Sequence, residues 1–406
     1  MKKKILVLND FPIYPPRFGG QFRIYYIYKN LSQRFDITYI CFAKNEFVEV
    51  ELGQNFWEIR IPKSKIHSSV NLLLGKIFGI SVDDIIAMFF CNYNKKLNNI
   101  VRDRLSDCSI VVASHPYLYT LIKKHAPNKF LIYEAHNVEY LLKKAILGKG
   151  FFKRFLYTNV KRVEDELVRK SDLVFAMSAD EINKFKEIYH VDESKIYISP
   201  NGVDLPSFRT LYKNSKLIKN KIINKPLALF MGSGHPPNSE AAKKIIIELA
   251  PKMKEIYFLI CGGVCGTFKN KDIDKNVGMT FEVSDEEKFE IYRISDIALN
   301  PMVSGSGTNI KMLEYMAAGL PIITTPIGAR GLDIKNYRDA IICEVSEFPE
   351  SIREVLENIE LYNKLSLNGQ KLVKNKYDWN KIAENMANTI ETEISKKRHH
   401  FFPITA

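Results

Sequence analysis

The chain has 406 residues, 46% of them apolar and 26% charged, an ordinary balance for a globular protein, and at this length two domains are expected rather than one. No run of eighteen apolar residues occurs, so no membrane-spanning helix is expected; the six cysteines, at 41, 91, 108, 261, 265 and 343, fit neither a disulfide framework nor a zinc pattern and read as reduced thiols of a cytoplasmic protein. The formal net charge is +13, and residues 1–205 carry most of the excess, with 31 Lys+Arg against 22 Asp+Glu, which suits an acidic partner.

Met1-Lys-Lys-Lys-Ile-Leu-Val-Leu begins like a signal peptide. Its apolar run stops at Asn9-Asp10, too short for an h-region, and reads as a first buried strand. Gly19-Gly20 then opens a helix expected over Gln21–Arg34, a place where an anion can approach backbone N–H groups. Short apolar runs at Ile5–Leu8, Asp36–Cys41, Ile110–Ala113, Phe130–Tyr133, Leu173–Met177 and Lys195–Ile198 alternate with periodic stretches such as Asn159–Lys170. That alternation predicts a parallel sheet with helices on both faces. Two histidines follow strands. His115, in Ser114-His-Pro116, has few polar neighbours and reads as structural. His136, in Tyr133-Glu-Ala-His-Asn-Val-Glu139, sits in a polar cluster where such sheets bind ligands and is a candidate functional residue.

Ser199-Pro-Asn-Gly-Val-Asp204 is a turn that structure alone explains. The polar stretch Val203–Pro226 reads as a seam, giving domains of 1–205 and 227–378, a linker of 206–226 and a C-terminal helix and tail over 379–406. A second strand series runs Leu227–Met231, Ile256–Cys261, Met279–Phe281, Asp296–Leu299, Pro321–Thr325 and Ala340–Cys343. The helices between are Ser239–Leu249, Asp285–Ile294 and Ile310–Ala318. The second series opens on Gly232-Ser-Gly-His235. Gly232, Ser233 and Gly234 allow a close approach, and His235 can donate to a phosphate; a plain glycine turn explains them equally well.

The densest signal is Asn300 to Pro321. A strand end passes through Gly305-Ser306-Gly307-Thr308-Asn309 into a short helix. Converging N–H groups, the helix dipole and glycine together suit a phosphate. Lys311 lies in the first turn, and Glu314 follows on the same helix face. An anion site beside a carboxylate in an apolar helix suggests a nucleotide, with phosphates at the turn and ribose hydroxyls on Glu314.

Taken in order, these motifs carry a resemblance. Gly19-Gly20, His136-Asn-x-Glu139, Pro200-Asn-Gly-Val-Asp204 and Lys311-x-x-Glu314-x-x-x-x-Gly319-x-Pro321 resemble the family-4 glycosyltransferases, from the first strand to about Cys343. The resemblance implies the GT-B fold, two doubly wound Rossmann-like domains facing an interdomain cleft, and metal-independent retaining transfer from a UDP- or GDP-linked sugar. No cofactor is implied beyond that co-substrate. Glu314 is implied to hold the ribose, Lys311 the diphosphate, 306–309 to offer N–H groups, Gly20 to close on the donor and His136 to face the transferred sugar. Three positions depart from the family pattern. Ser306 stands where many members carry a second carboxylate, Asn309 where some carry arginine, and the 232–238 loop lacks the usual Arg and Lys. The missing diphosphate cations would then come from His235 and Lys311, or from Arg17 or Arg23.

The acceptor implied is a glycan or a lipid-linked sugar. Residues 143–162 hold seven basic residues, no acidic one, and Phe151, Phe152, Phe155 and Tyr157. This segment either lies on an anionic membrane surface, placing the protein on the inner face, or buries its aromatics in a helix. A nucleotide-sugar 2-epimerase of the same fold, or a non-catalytic partner subunit, are the alternatives. Nucleic-acid binding is not expected, because no recognition module appears.

Overall fold

The structure is a computed structural model that describes residues 2–44, 47–208, 224–269, 272–305 and 307–401, with side chains to 397. The chain forms two compact units, one of residues 1–200 with 382–406, the other of Asn201–Lys381.

In the first unit an eight-stranded sheet has the order β3-β4-β2-β1-β5-β6-β7-β8. Its strands are β1 (Lys3–Asn9), β2 (Phe35–Ala43), β3 (Val48–Gly53), β4 (Phe56–Pro62), β5 (Ile110–Ser114), β6 (Phe130–Glu134), β7 (Leu173–Ala176) and β8 (Ile196–Ile198). All neighbours run parallel except β3, which pairs antiparallel with β4. The central strands are buried, β5 and β6 along their length and β1 from Ile5 onward, which is why they read as unbroken apolar runs rather than alternating ones. Helices α1 (Gly19–Leu31), α2 (Lys65–Phe78), α3 (Asp83–Phe90), α4 (Lys95–Ser106), α5 (Tyr119–His125), α6 (Glu139–Leu147), α7 (Phe151–Lys170) and α8 (Ala179–Tyr189) complete the layers. The hairpin and the three helices over 48–106 had no counterpart in the sequence reading. The helix expected from Asn159 begins at Phe151, eight residues earlier, after Gly148 and Gly150, both at positive φ.

The second unit has a six-stranded parallel sheet of order β11-β10-β9-β12-β13-β14. It is built from β9 (Leu227–Met231), β10 (Tyr257–Cys261), β11 (Val277–Thr280), β12 (Ile297–Asn300), β13 (Ile322–Thr324) and β14 (Ile341–Ile342). Its helices are α9 (Leu205–Phe208), α10 (Pro236–Lys244), α11 (Asp285–Ile294), α12 (Ile310–Ala317), α13 (Pro326–Ala329), α14 (Phe348–Glu357) and α15 (Ile359–Leu372). Leu205, expected at the end of the first domain, and Phe208 of the expected linker both pack into this unit's core, and 209–223 lie outside the described residues.

The last helix, α16 (Trp379–Phe401), does not stand apart as a tail. From Ile382 onward it belongs to the first unit. There Glu393 accepts from the Tyr197 hydroxyl at 3.0 Å, Lys397 pairs with Asp172 at 2.6 Å, and Glu391 pairs with Arg34. Buried Met386, Ile390 and Ile394 supply the apolar reason for this packing.

Strand order fixes where a ligand can enter each sheet. In the first unit the chain moves from β1 to β2 on one side and returns to β5 on the other. In the second, β10 and β12 flank β9 in the same way. The loops after β1 and β5, and those after β9 and β12, therefore diverge at topological switch points.

Candidate active site

At the switch point of the second unit, the loop after β9 meets the turn after β12. The Lys311 ammonium donates to Asn238 Oδ1 at 2.7 Å and lies 4.4 Å from the centre of the Phe230 ring. The Met231 N–H donates to the Tyr315 hydroxyl at 2.7 Å, and Ser304 donates to Glu240 at 2.6 Å. These contacts join β9 and α10 to the turn and to helix α12. Gly305 and Gly307 have φ of 110° and 73°, a left-handed backbone that other residues adopt only under strain. The turn is braced from behind by Arg330, which donates to the Gly305 carbonyl at 3.0 Å and the Gly307 carbonyl at 3.3 Å. Ser306 lies outside the described residues. Thr308 Oγ1 accepts from Asn201 at 2.7 Å. Asn309 turns its amide toward the Gly328 carbonyl, 3.0 Å away, instead of capping α12. With no acidic residue in its first turn and no side-chain cap, α12 presents open N–H groups and the positive end of its dipole.

Glu314 occupies the next turn of α12. One carboxylate oxygen accepts from Lys288 at 2.9 Å and the other from Tyr292 at 2.8 Å. A carboxylate has about four acceptor positions, so two stay open for hydroxyl donors. Burial works against the charge of Lys288, but Glu314 outweighs it and raises the ammonium above its ordinary value; burial and the same carboxylate raise the Tyr292 phenol. Both therefore hold Glu314 as donors at neutral pH. Neither was singled out as a site residue from sequence, although Lys288 and Tyr292 stand four apart on one face of α11, the spacing that lets two side chains converge.

Lys311 is a site cation whose charge is poised. The residue is half-buried but its ammonium much more so, and that burial pushes it down to about 7, only partly offset by Glu314. An anion bound beside it would raise this value. By linkage, the Lys311 contribution to anion affinity is complete below pH 7 and is lost as pH rises above it, by up to about tenfold per unit. We expect uridine diphosphate to bind more weakly between pH 7.5 and 9 in the native protein. Lys311→Arg should flatten that slope, because guanidinium stays charged. Isothermal titration across that range decides it; equal slopes in both proteins would remove Lys311 from the anion site.

The loop after β9 adds backbone rather than charge. A Cβ on Gly232 would sit 3.0 Å from Asn238 Cβ, and one on Gly262 would sit 2.6 Å from the Gly232 carbonyl oxygen, so the glycines let the two loops pack backbone to backbone. Ser233 and His235 are exposed, and Ser233 accepts from Asn238 through its hydroxyl at 3.1 Å.

In the first unit the switch-point loops gather a second polar cluster. Glu134, fully buried at the end of β6, accepts from Tyr28 at 2.8 Å and Ser114 at 3.0 Å, with Arg23 Nε at 3.3 Å. His136 Nε2 lies 3.2 Å from Ser114 Oγ and 3.5 Å from Glu134. Burial opposes the Glu134 charge, yet His136, Arg23 and Tyr28 hold the carboxyl well below its usual range. Burial also pushes His136 down, more than Glu134 pulls it up, so the ring is neutral near pH 7. His115, read as structural from sequence, packs its ring on His136 with centroids 4.1 Å apart and holds φ at 85°. Strain of that kind gathers at functional sites. Arg23 does not present itself to a ligand: it is buried and also donates to the Pro200 carbonyl at 2.9 Å and Ser199 at 3.3 Å. Arg17 is exposed. Gly19 and Gly20 start α1 at ordinary φ, and a Cβ on Gly20 would lie 3.6 Å from Phe18, an ordinary contact, so neither backbone nor space demands glycine at 20. Asp10, just past β1, is a buried carboxyl whose Oδ1 has no hydrogen-bond partner; burial and Asp84 push it up to about 8.

Among the described residues no three His, Cys, Asp or Glu side chains group as a metal site, and no helix is long and apolar enough to cross a membrane.

Two doubly wound units, one with a glycine turn beside a held carboxylate at its switch point, define an α/β protein of the class that binds ligands at the carboxyl ends of its strands. Comparison with known proteins gives the family. Residues 19–206 match the family model described as Glycosyltransferase Family 4, and residues 225–358 match Glycosyl transferases group 1. The chain belongs to the family-4 glycosyltransferases of GT-B fold. It is 24% identical to an uncharacterized protein of the cps region of Klebsiella pneumoniae, over 94% of this chain and 98% of that one. A D-inositol 3-phosphate glycosyltransferase of Rhodococcus erythropolis matches at 23% identity over 45% of this chain and 44% of its own. Among solved structures, Anabaena HepE in complex with UDP and glucose superposes with a TM-score of 0.69 at 14% identity, over 96% of this chain and all of that one.

Proposed function

We propose that the protein is a retaining, metal-independent glycosyltransferase that moves a sugar from a UDP- or GDP-linked donor to a glycan or lipid-linked acceptor in surface polysaccharide or glycolipid synthesis. The observation that carries this reading is Glu314 held by Lys288 and Tyr292 with two acceptor positions open, one helical turn beyond the glycine turn and Lys311. The ribose hydroxyls donate to Glu314. The diphosphate accepts from the N–H groups at the start of α12 and from Lys311, which stabilise the charge that grows on it as the bond to the sugar breaks. The acceptor hydroxyl attacks the anomeric carbon from the leaving-group side, and its proton passes to the departing phosphate oxygen. His136, neutral and fixed by Ser114 and Glu134, is assigned to a hydroxyl of the transferred sugar. The relative in the cps region and the UDP and glucose bound to HepE support the class of donor and product. The protein is assigned to the cytoplasm, with residues 143–162 facing an anionic membrane surface; Phe151 is 93% exposed.

The purified protein, incubated in EDTA with a panel of UDP- and GDP-sugars, should release one nucleoside diphosphate above the background of a Glu314→Ala control. NMR of the product should show the donor's anomeric configuration. Release that needs an added metal, or inversion, would contradict the proposal, and 2-epimerised donor without transfer would favour the epimerase.

A further inference from the structure

Helix α2 is 14 residues long, yet His67 is its one fully buried residue. Ile66, Leu73 and Ile77 are 64%, 58% and 64% exposed, and their spacing of seven and four places them on a single stripe. A stripe of large aliphatics turned to water is costly unless something covers it. The adjoining face is satisfied: Val70, Leu74 and Phe78 pack on a core cluster that includes Leu156 and Val160 of α7. Helices α2 and α7 thus contribute to one apolar cluster. At that junction the Phe78 and Phe152 rings lie 5.9 Å apart, and the Lys153 ammonium lies 5.8 Å from the Phe78 ring centre. This contact brings the C-terminal end of α2, where Ile77 is exposed, beside the start of α7, where Phe151 stands out.

The segments 59–82 and 140–163 carry charge of one sign. No acidic residue occurs between Glu58 and Asp83 or between Glu139 and Glu164, while Lys65, Lys76, Lys149, Lys153 and Arg154 fall inside those stretches. Long basic side chains beside large apolar ones match a surface that is anionic outside and hydrocarbon just beneath. A partner protein would be met by mixed charge more often than by an unbroken basic rim.

We infer that α2 is an interfacial docking helix that sinks Ile66, Leu73 and Ile77 into an anionic bilayer, with the start of α7 beside it. The inference rests on the proposed membrane-facing role of residues 143–162 and adds the element that enters the apolar layer. Helix α2 supplies the aliphatic depth, and the basic segment supplies attraction to the headgroups.

Sedimentation with phosphatidylglycerol–phosphatidylcholine vesicles tests it, using the full chain, Ile66→Gln/Leu73→Gln/Ile77→Gln, and Phe151→Gln/Phe152→Gln. The three α2 positions are exposed, so their substitution should leave thermal unfolding and uridine diphosphate affinity unchanged. The native protein should bind vesicles with 30% phosphatidylglycerol, not neutral ones, and the α2 variant should bind at least about tenfold more weakly. If the α2 variant binds like the native protein while the phenylalanine variant does not, the inference fails and the role of 143–162 stands. If the native protein does not bind at all, both fail. Dimerisation that the α2 variant abolishes, without vesicle binding, would assign the stripe to a second copy and overturn the inference.

Discussion

Replacing Glu314 by alanine is expected to lower sugar transfer by about 10²–10³-fold. Hydrogen bonds to charged groups contribute about 1.5–3 kcal/mol each, so two lost ribose contacts at the lower end, about 3–4 kcal/mol together, account for that loss. The loss should divide between donor affinity and turnover, because a nucleotide held only by its diphosphate can shift along the turn. The variant also leaves Lys288 facing a void, so unfolding must be measured beside activity. Tyr292→Phe provides the finer test: it removes one donor to Glu314 without removing the carboxylate, and should cost about three- to tenfold, mainly in donor KM. A Glu314→Ala enzyme within threefold of native activity would show that the carboxylate does not touch the donor.

Glu134→Ala is expected to destabilise the first unit by about 3–5 kcal/mol, the usual cost of removing one partner of a buried ion pair. It strips the Arg23 guanidinium of its facing carboxylate, leaves the Tyr28 hydroxyl without its acceptor, and frees the His136 ring. Glu134→Gln keeps the volume and an acceptor for Tyr28, so it should cost less, yet it still lacks the charge. Denaturant unfolding followed by tyrosine fluorescence measures both. Losses below about 1 kcal/mol for the alanine variant would mean that Arg23 is solvated instead of locked.

These two residues also show what a linear sequence reveals. Glu314 was legible because its partners in meaning are local: a glycine turn, a helix start and a lysine three residues before it. Two glycines at positive φ leave a mark no other residue type can replace. Lys288 and Tyr292 reach Glu314 from another helix, 26 and 22 residues away, and Arg330 braces the turn from beyond the next strand. Long-range contacts of that kind follow from sheet order, which periodicity does not encode. Arg23 misled for the same reason. Near a glycine pair it reads as an anion ligand, but Glu134, 111 residues later, claims it inside the core. His115 looked bland beside proline, and only the parallel pairing of β5 with β6 brings it against His136. The C-terminal helix is amphipathic in sequence, but nothing in that pattern names the unit it covers.

The central claim is that the turn at 305–309, Lys311 and Glu314 form one nucleotide site. Its most direct test is isothermal titration of UDP and GDP, in EDTA, into the native protein and into Glu314→Ala. One of the two nucleotides should bind the native protein in the micromolar range and bind the variant at least about tenfold more weakly. Failure of both nucleotides to bind the native protein, or equal affinity for native and variant, would contradict it.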